Sequence, residues 1–340
     1  MLPILDVAQL LLGIALIYWG AEWLIRGSAA IARSFGVKPL VIGLTVVAYG
    51  TSAPELSVAT QTALAHAQPI ALGTVIGSCA ANISLILGLT ALIAPPTVDG
   101  RIIRREVPVL VGSAIAVPIL FRNGVLSRFE GALLIACAVV FTIVTLTVSA
   151  RLSPEELDDD DDENAGSSAS MTRGGSAAST GAEIGGKGRP RTGPTAAAVM
   201  STLGVVLLVT GSRFFISGGR GIAAQVGMSE RMLGLTVIAL GTAMPELIGS
   251  LVAASRGHAA LAVGSVIGSN LLNVFLVLGV TAFLQPIRLG ERMHLVDLVG
   301  LVVITLLGVL VLRGSRKITR LEGALLVAAY VAFIVCAALL

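Results

Sequence analysis

Charge is scarce in this chain. Asp, Glu, Lys and Arg make up 13% of its 340 residues, against about 25% in soluble proteins, while 55% are hydrophobic and the mean hydropathy is +0.92. That composition excludes an ordinary soluble domain and points to a polytopic membrane protein. Histidine and cysteine are also rare. His66, His258 and His294 fall near the ends of apolar runs and read as surface residues, while Cys79, Cys137 and Cys336 lie inside such runs without CxxC spacing. Imidazole or thiolate chemistry for zinc or copper is therefore not expected, nor is a disulfide framework, and the thiols are expected to pack as small apolar groups. No GxxxxGK[ST] segment is present, so no nucleotide is expected to drive the protein.

What is there is apolar length. A bilayer core of roughly 30 Å needs about 20 apolar residues per helix, and ten such runs can be separated, near 8–32, 40–64, 70–94, 106–121, 129–150, 195–217, 232–254, 260–285, 293–312 and 321–340. The expected fold class is all-α, with ten transmembrane helices arranged as two five-helix halves, 1–150 and 195–340. The first run has no basic segment before it and no small-residue cleavage site after it, so it is expected to stay in place rather than act as a removable signal. With both termini outside, sixteen of the 23 Lys and Arg residues fall on the cytoplasmic side, which predicts that orientation in the plasma (inner) membrane. The net charge of +3 reflects this bias, so nucleic acid is not an expected partner.

Residues 151–194, Gly- and Ser-rich with an acidic run from Glu155 to Glu163, are expected to form a disordered cytoplasmic loop. The acidic run reads as a solvated linker or as a weak Ca²⁺ buffer, and it lacks the DxDxDG pattern of an EF-hand.

Residues 41–95 laid over 232–286 at a constant offset of 191 give 24 identities in 55 positions without a gap. "GLTVVAYGTSAPEL" pairs with "GLTVIALGTAMPEL", and "GTVIGSCAANISLILGLTA" with "GSVIGSNLLNVFLVLGVTA". Further out, "RFEGALL" at 128 pairs with "RLEGALL" at 320. Equivalent spans are five apart, an odd number, so the copies cross the membrane in opposite directions. An inverted repeat of this kind builds a binding site near the bilayer midplane in secondary transporters.

Each copy puts a glutamate directly after a proline inside an apolar run: Glu55 after Pro54, and Glu246 after Pro245. A carboxylate at the bilayer centre costs about 2.5 kcal/mol or more. No basic residue sits inside either motif, so a cation from solution, held by both glutamates, is the expected partner. Pro54 cannot donate to Gly50, nor Pro245 to Gly241, so each proline is expected to kink its helix and free a backbone oxygen. Thr51 shares a helix face with Glu55, and Thr242 with Glu246. The following spans add Ser78 with Asn82, and Ser269 with Asn273, at the same spacing. All are oxygen donors, which suits Ca²⁺ and Na⁺. A lone Ser or Asn in a membrane helix commonly serves packing, as does a GxxxG pattern; two glutamates at matching places in inverted copies are not covered by that explanation.

These motifs resemble the α-repeats of the cation/Ca²⁺ exchanger superfamily, specifically the sodium/calcium exchangers. The resemblance implies eight core helices with two long tilted ones, the first and sixth spans, sliding across them, and exchange of about three Na⁺ for one Ca²⁺ by alternating access. It further implies that Glu55, Glu246, Thr51 and Thr242 bind Ca²⁺, aided by backbone oxygens near Ala48 and Ala239. Ser52, Ser78 and Ser269 would serve Na⁺, with Asn82 and Asn273 in the middle of the cage.

Two positions depart from the family pattern. Asn273 stands where potassium-dependent relatives carry Asp, and Ala243 stands where the first copy has Ser52. The same two glutamates could instead carry protons in H⁺/Ca²⁺ antiport. A cation channel fits paired kinked repeats less well, and a membrane scaffold leaves the glutamates without a purpose.

Overall fold

A computed structural model describes residues 4–35, 41, 43–96, 100–150, 193–225, 227–255, 259–289, 295–314 and 317–339. All but the last two residues of the expected 151–194 loop lie outside this set, as do His258 and His294. Two long helices, α1 (Ile4–Phe35) and α8 (Pro194–Gln225), have 32 residues each. At 1.5 Å per residue they are about 48 Å long, more than a bilayer core is thick, which a membrane accommodates by tilt.

Between them the first copy runs through the wide turn π1 (Gly43–Val47), α2 (Ala48–Thr51), α3 (Ala53–Leu64), α4 (Gln68–Ala80), the wide turn π2 (Ala81–Ile86), α5 (Leu87–Ile93), α6 (Gly100–Leu120), strand β1 (Val125–Leu126) and α7 (Arg128–Ala150). After α8 the second copy follows with α9 (Glu230–Leu233), π3 (Gly234–Ile238), α10 (Ala239–Ser255), α11 (Ala259–Leu272), π4 (Asn273–Leu278), α12 (Gly279–Leu284), β2 (Ile287–Arg288), α13 (Leu295–Gly314) and α14 (Arg320–Leu339).

Eight helical stretches among the described residues are long and apolar enough to cross a membrane. Of the ten expected spans, the second is divided at Ser52 between α2 and α3, and the ninth corresponds to the 20-residue α13. The stretches 68–93 and 261–284 are 94% buried, whereas 4–28 is only 22% buried. The third and eighth spans are thus the middle of the molecule, and α1 lies at its lipid-facing rim.

The copies are interleaved rather than set side by side. The last turns of the first copy's third span (α5) pack on α14 of the second copy, and α12 packs on α7 of the first. Short backbone straps repeat the crossing on each face. On one, β1 pairs antiparallel with β2, Leu126 opposite Ile287; on the other, the Ile318 N–H donates to the Pro96 carbonyl at 3.0 Å. The paired "RFEG" and "RLEG" motifs begin helices through one device. Ser127 and Glu130 form a capping box, with the Ser127 N–H on Glu130 Oε2 at 2.7 Å, and Thr319 and Glu322 repeat it at the same distance.

α1 and α8 run antiparallel along a glycine seam. Gly13 faces Gly211, Gly20 faces Gly204, and Gly27 faces Ala197, one glycine every seventh residue on each helix. A methyl group on Gly20 would come within 2.8 Å of the Leu208 nitrogen, and one on Gly211 within 2.8 Å of the Ile17 nitrogen. Only glycine lets the two backbones touch, as small residues do in membrane helix pairs. The same pair rests on α10, the helix that carries Glu246. We expect Gly20→Ala and Gly211→Ala each to destabilise the α1–α8 pair by about 1–3 kcal/mol, read as a lower melting temperature in detergent; unchanged melting would show that the helices can separate without cost.

Candidate cation site at the repeat crossing

The prolines act differently in the two copies. In the first, Ser52 lies between helices at φ −78°, ψ 0°, and Pro54 is in the first turn of α3, where its missing N–H costs nothing. In the second, α10 runs unbroken from Ala239 to Ser255 with Pro245 inside it. The two matching prolines therefore occupy different places in their helices, one in a first turn and one in mid-helix. Ser52 makes the intervening turn, and at the equivalent Ala243 the helix continues through it.

Glu55, Glu246, Asn82, Asn273, Ser78, Ser269 and Thr242 are all fully buried, and Thr51 is 1% exposed. The hydroxyls pair across the copies in two equivalent contacts. Thr51 Oγ1 lies 3.3 Å from Ser269 Oγ, and Thr242 Oγ1 lies 3.2 Å from Ser78 Oγ. The carboxylates are crossed in the same sense, with Glu55 against Thr242, and Glu246 against Thr51 and Ser269. Backbone oxygens arrive with them. Thr51 donates to the carbonyls of Val47 and Ala48 at 3.0 and 3.3 Å, while Thr242 and Ser78 both donate to Ala239, at 3.1 and 3.3 Å.

Close approach at this crossing depends on Gly77 and Gly268, the ends of the two GxxxG patterns. A methyl group on Gly77 would come within 2.6 Å of the Leu235 oxygen, and one on Gly268 within 2.9 Å of the Leu44 oxygen. The packing role expected of these glycines is thus what brings the oxygens of the motif helices together.

Hydrogen bonding leaves a specific remainder. All four carboxylate oxygens of Glu55 and Glu246, both amide atoms of Asn82 and of Asn273, and the Ser52 hydroxyl are buried without a hydrogen-bond partner. Buried polar atoms in native proteins are nearly always satisfied, and unpaired carboxylates are the costliest exception. These unsatisfied oxygens, with no cationic side chain among them, could hold a hard cation.

Several features here escaped the sequence reading. Each copy holds two wide π turns, and those at 43–47 and 234–238 match at the 191 offset; single π turns commonly mark functional segments, but no residue type announces one. Asn270, 3% exposed with both amide atoms unpartnered, sits beside Ser269 at the position equivalent to Cys79, whose thiol lies 3.9 Å from the Asn270 carbonyl oxygen. A residue meeting its own equivalent lies near the pseudo-two-fold axis. Ala243 joins the apolar core, His66 is exposed in a turn, and Cys336 is exposed while Cys79 is buried.

The family model "Sodium/calcium exchanger protein" matches residues 5–147 and 196–339. Among curated proteins, the chain is 32% identical to the putative antiporter CaxA of Alkalimonas amylolytica over 326 residues, 95% of each chain. It is 28% identical to the sodium/calcium exchanger MaX1 of Methanosarcina acetivorans over 355 aligned positions, 96% of each. A solved structure of the sodium-calcium exchanger NCX_Mj, soaked with Na⁺ and Sr²⁺, superposes with a TM-score of 0.76 at 31% identity, covering 98% of this chain and 99% of that one.

The unpaired carboxylates generate a direct test. Glu55→Gln and Glu246→Gln should each weaken Ca²⁺ binding by at least about a hundredfold, because a buried carboxylate facing a divalent ion contributes several kcal/mol. Each should also raise the melting temperature of the ion-free protein, since one of two facing buried charges is removed. Titration calorimetry and melting in chelator check both, and wild-type Ca²⁺ affinity in either variant would disprove the assignment.

Proposed function

Because the chain belongs to the sodium/calcium exchanger family, we propose that it is a secondary antiporter that moves Ca²⁺ across the membrane in exchange for Na⁺ by alternating access. The observation that carries this reading is the set of buried oxygen donors without partners on Glu55, Glu246, Asn82 and Asn273. In the proposed cycle Ca²⁺ sits between the two carboxylates, with Thr51, Thr242 and the carbonyls of Ala48 and Ala239 completing its shell. Na⁺ takes the flanking hydroxyls of Ser52, Ser78 and Ser269 when Ca²⁺ leaves, and Asn82 and Asn273 hold the centre. We place 1–150 and 195–340 as the two inverted repeats, with both termini on the outer side of the plasma membrane. Pairing along the glycine seam supports movement of α1 and α8 as one unit across the core.

Charge decides the electrical character. Two carboxylates balance one Ca²⁺ or two Na⁺. A third Na⁺ leaves the loaded site one charge positive, because Asn273 is neutral where potassium-dependent relatives have a carboxylate. Each cycle then moves one net charge, worth about 2.3 kcal/mol per 100 mV, and K⁺ has no carboxylate of its own to bind.

The test is ⁴⁵Ca²⁺ uptake into proteoliposomes. An outward Na⁺ gradient should drive uptake without K⁺, and an inside-positive potential should accelerate it. Uptake driven by a pH gradient and indifferent to Na⁺ would assign H⁺/Ca²⁺ exchange instead, and equal rates at both potentials would make the exchange electroneutral, with Ala243 marking the lost Na⁺ ligand. Asn273→Asp should add a titratable carboxylate to the cage and make transport steeper in pH; an unchanged profile would put residue 273 outside it.

A further inference from the structure

Buried polar groups without a partner come in equivalent pairs at only three places among the described residues. Two are the cage pairs, Glu55 with Glu246 and Asn82 with Asn273. The third is Thr90 with Thr281, each 1% exposed with a hydroxyl that has no partner. This is unusual for a helical threonine here. Thr45, Thr62, Thr74 and Thr305 all donate to the carbonyl four residues back, the ordinary way to satisfy such a hydroxyl.

Thr90 lies eight residues beyond Asn82, about 12 Å along the helix, on the side of α5 turned away from the lipid-facing helices. Gly88, Ala91 and Leu92 meet Gly323 of α14, and at about 100° per residue Thr90 falls on the opposite side of α5, which also packs on α10. Thr281 repeats this in the second copy, where Gly279, Ala282 and Phe283 meet Gly131 of α7 and Thr281 falls on the opposite side of α12, which also packs on α3. The two threonines lie on opposite sides of the cage. Beyond Thr90 the chain reaches Pro96 and its strap to Ile318, and beyond Thr281 it reaches β2 and its strap to β1.

On the Thr90 side there is a second unpartnered hydroxyl. Ser250 is 1% exposed and follows Glu246 by one turn of α10, the helix that packs on α5. Its equivalent in the first copy is Ala59. The copy that lacks a hydroxyl at Ala243 thus carries one at Ser250.

We propose that Thr90 with Ser250, and Thr281 on the other side, are way-stations that bind a partly hydrated Na⁺ as it passes between the cage and each membrane face. Neutral hydroxyls without a carboxylate suit a monovalent ion that must leave again, and one station per face is what an alternating path requires. The inference rests on the Na⁺ exchange proposed above.

The experiment uses the full chain in proteoliposomes of one orientation, with half-saturating Na⁺ measured separately on each face. Thr90→Val keeps the shape and removes the hydroxyl. It should raise half-saturating Na⁺ about three- to tenfold on the Pro96–Ile318 face, the loss of one hydrogen-bonding ligand, and leave the other face unchanged. Thr281→Val should do the reverse. Thr→Ser at either position should restore the wild-type value, and Ca²⁺ affinity at equilibrium should stay unaltered throughout. Wild-type Na⁺ saturation on both faces in both valine variants would overturn the proposal, as would equal shifts on both faces accompanied by weaker Ca²⁺ binding. Wild-type uptake that ignores Na⁺ would instead overturn the exchange reading and the sodium assignment with it, whereas normal wild-type exchange with unaltered variants overturns the way-stations alone.

Discussion

Everything else in this molecule is arranged around two carboxylates that have no partner in the protein. Glu55 and Glu246 are fully buried, and none of their four oxygens is hydrogen-bonded. Apolar surroundings penalise such charges by several kcal/mol each, a cost that packing does not return. In the exchange proposed above a cation from solution offsets that cost, and a site that is costly when empty and satisfied when filled suits a carrier better than a scaffold. The absence of a cationic side chain in the cage has the same logic, since an internal Lys or Arg would neutralise the glutamates permanently and leave no work for a transported ion.

Interleaving is what allows the two glutamates to share one place. Each motif helix rests on the central helix of the other copy, so a threonine hydroxyl of one repeat meets a serine hydroxyl of the other: Thr51 with Ser269, and Thr242 with Ser78. Gly77 and Gly268 set how closely these helices approach. The straps at Leu126–Ile287 and Pro96–Ile318 tie the copies on both faces. The core is therefore a single crossing of the two copies rather than two lobes. α1 and α8 lie outside it, longer than the bilayer core, largely exposed, and joined to each other along a glycine-rich seam.

Departures from symmetry carry as much information as its presence. Ser52 opposes Ala243, Ala59 opposes Ser250, and Cys79 opposes Asn270. An inverted pair with identical halves would present the same ligands to both sides of the membrane. Here the hydroxyls are redistributed, so the two copies differ chemically even where the backbone repeats.

Membrane insertion, the duplication, its inversion, and the oxygen-donor chemistry of the glutamate motifs were all legible in the residues alone, because each rests on a local quantity: apolar run length, identity at a fixed offset, an odd number of intervening spans, or a side-chain type. Even Thr90 and Thr281 were visible as one of the 24 identities, without any sign that they differed from the others. Tertiary structure decided the rest. Whether a threonine hydroxyl is satisfied by its own helix or left waiting depends on the local turn and on what packs above it, and neither is written in a residue's identity. The same holds for Pro54 and Pro245, both in a GTxxPEL motif yet set in a divided helix and a continuous one, a difference that the shared motif does not announce.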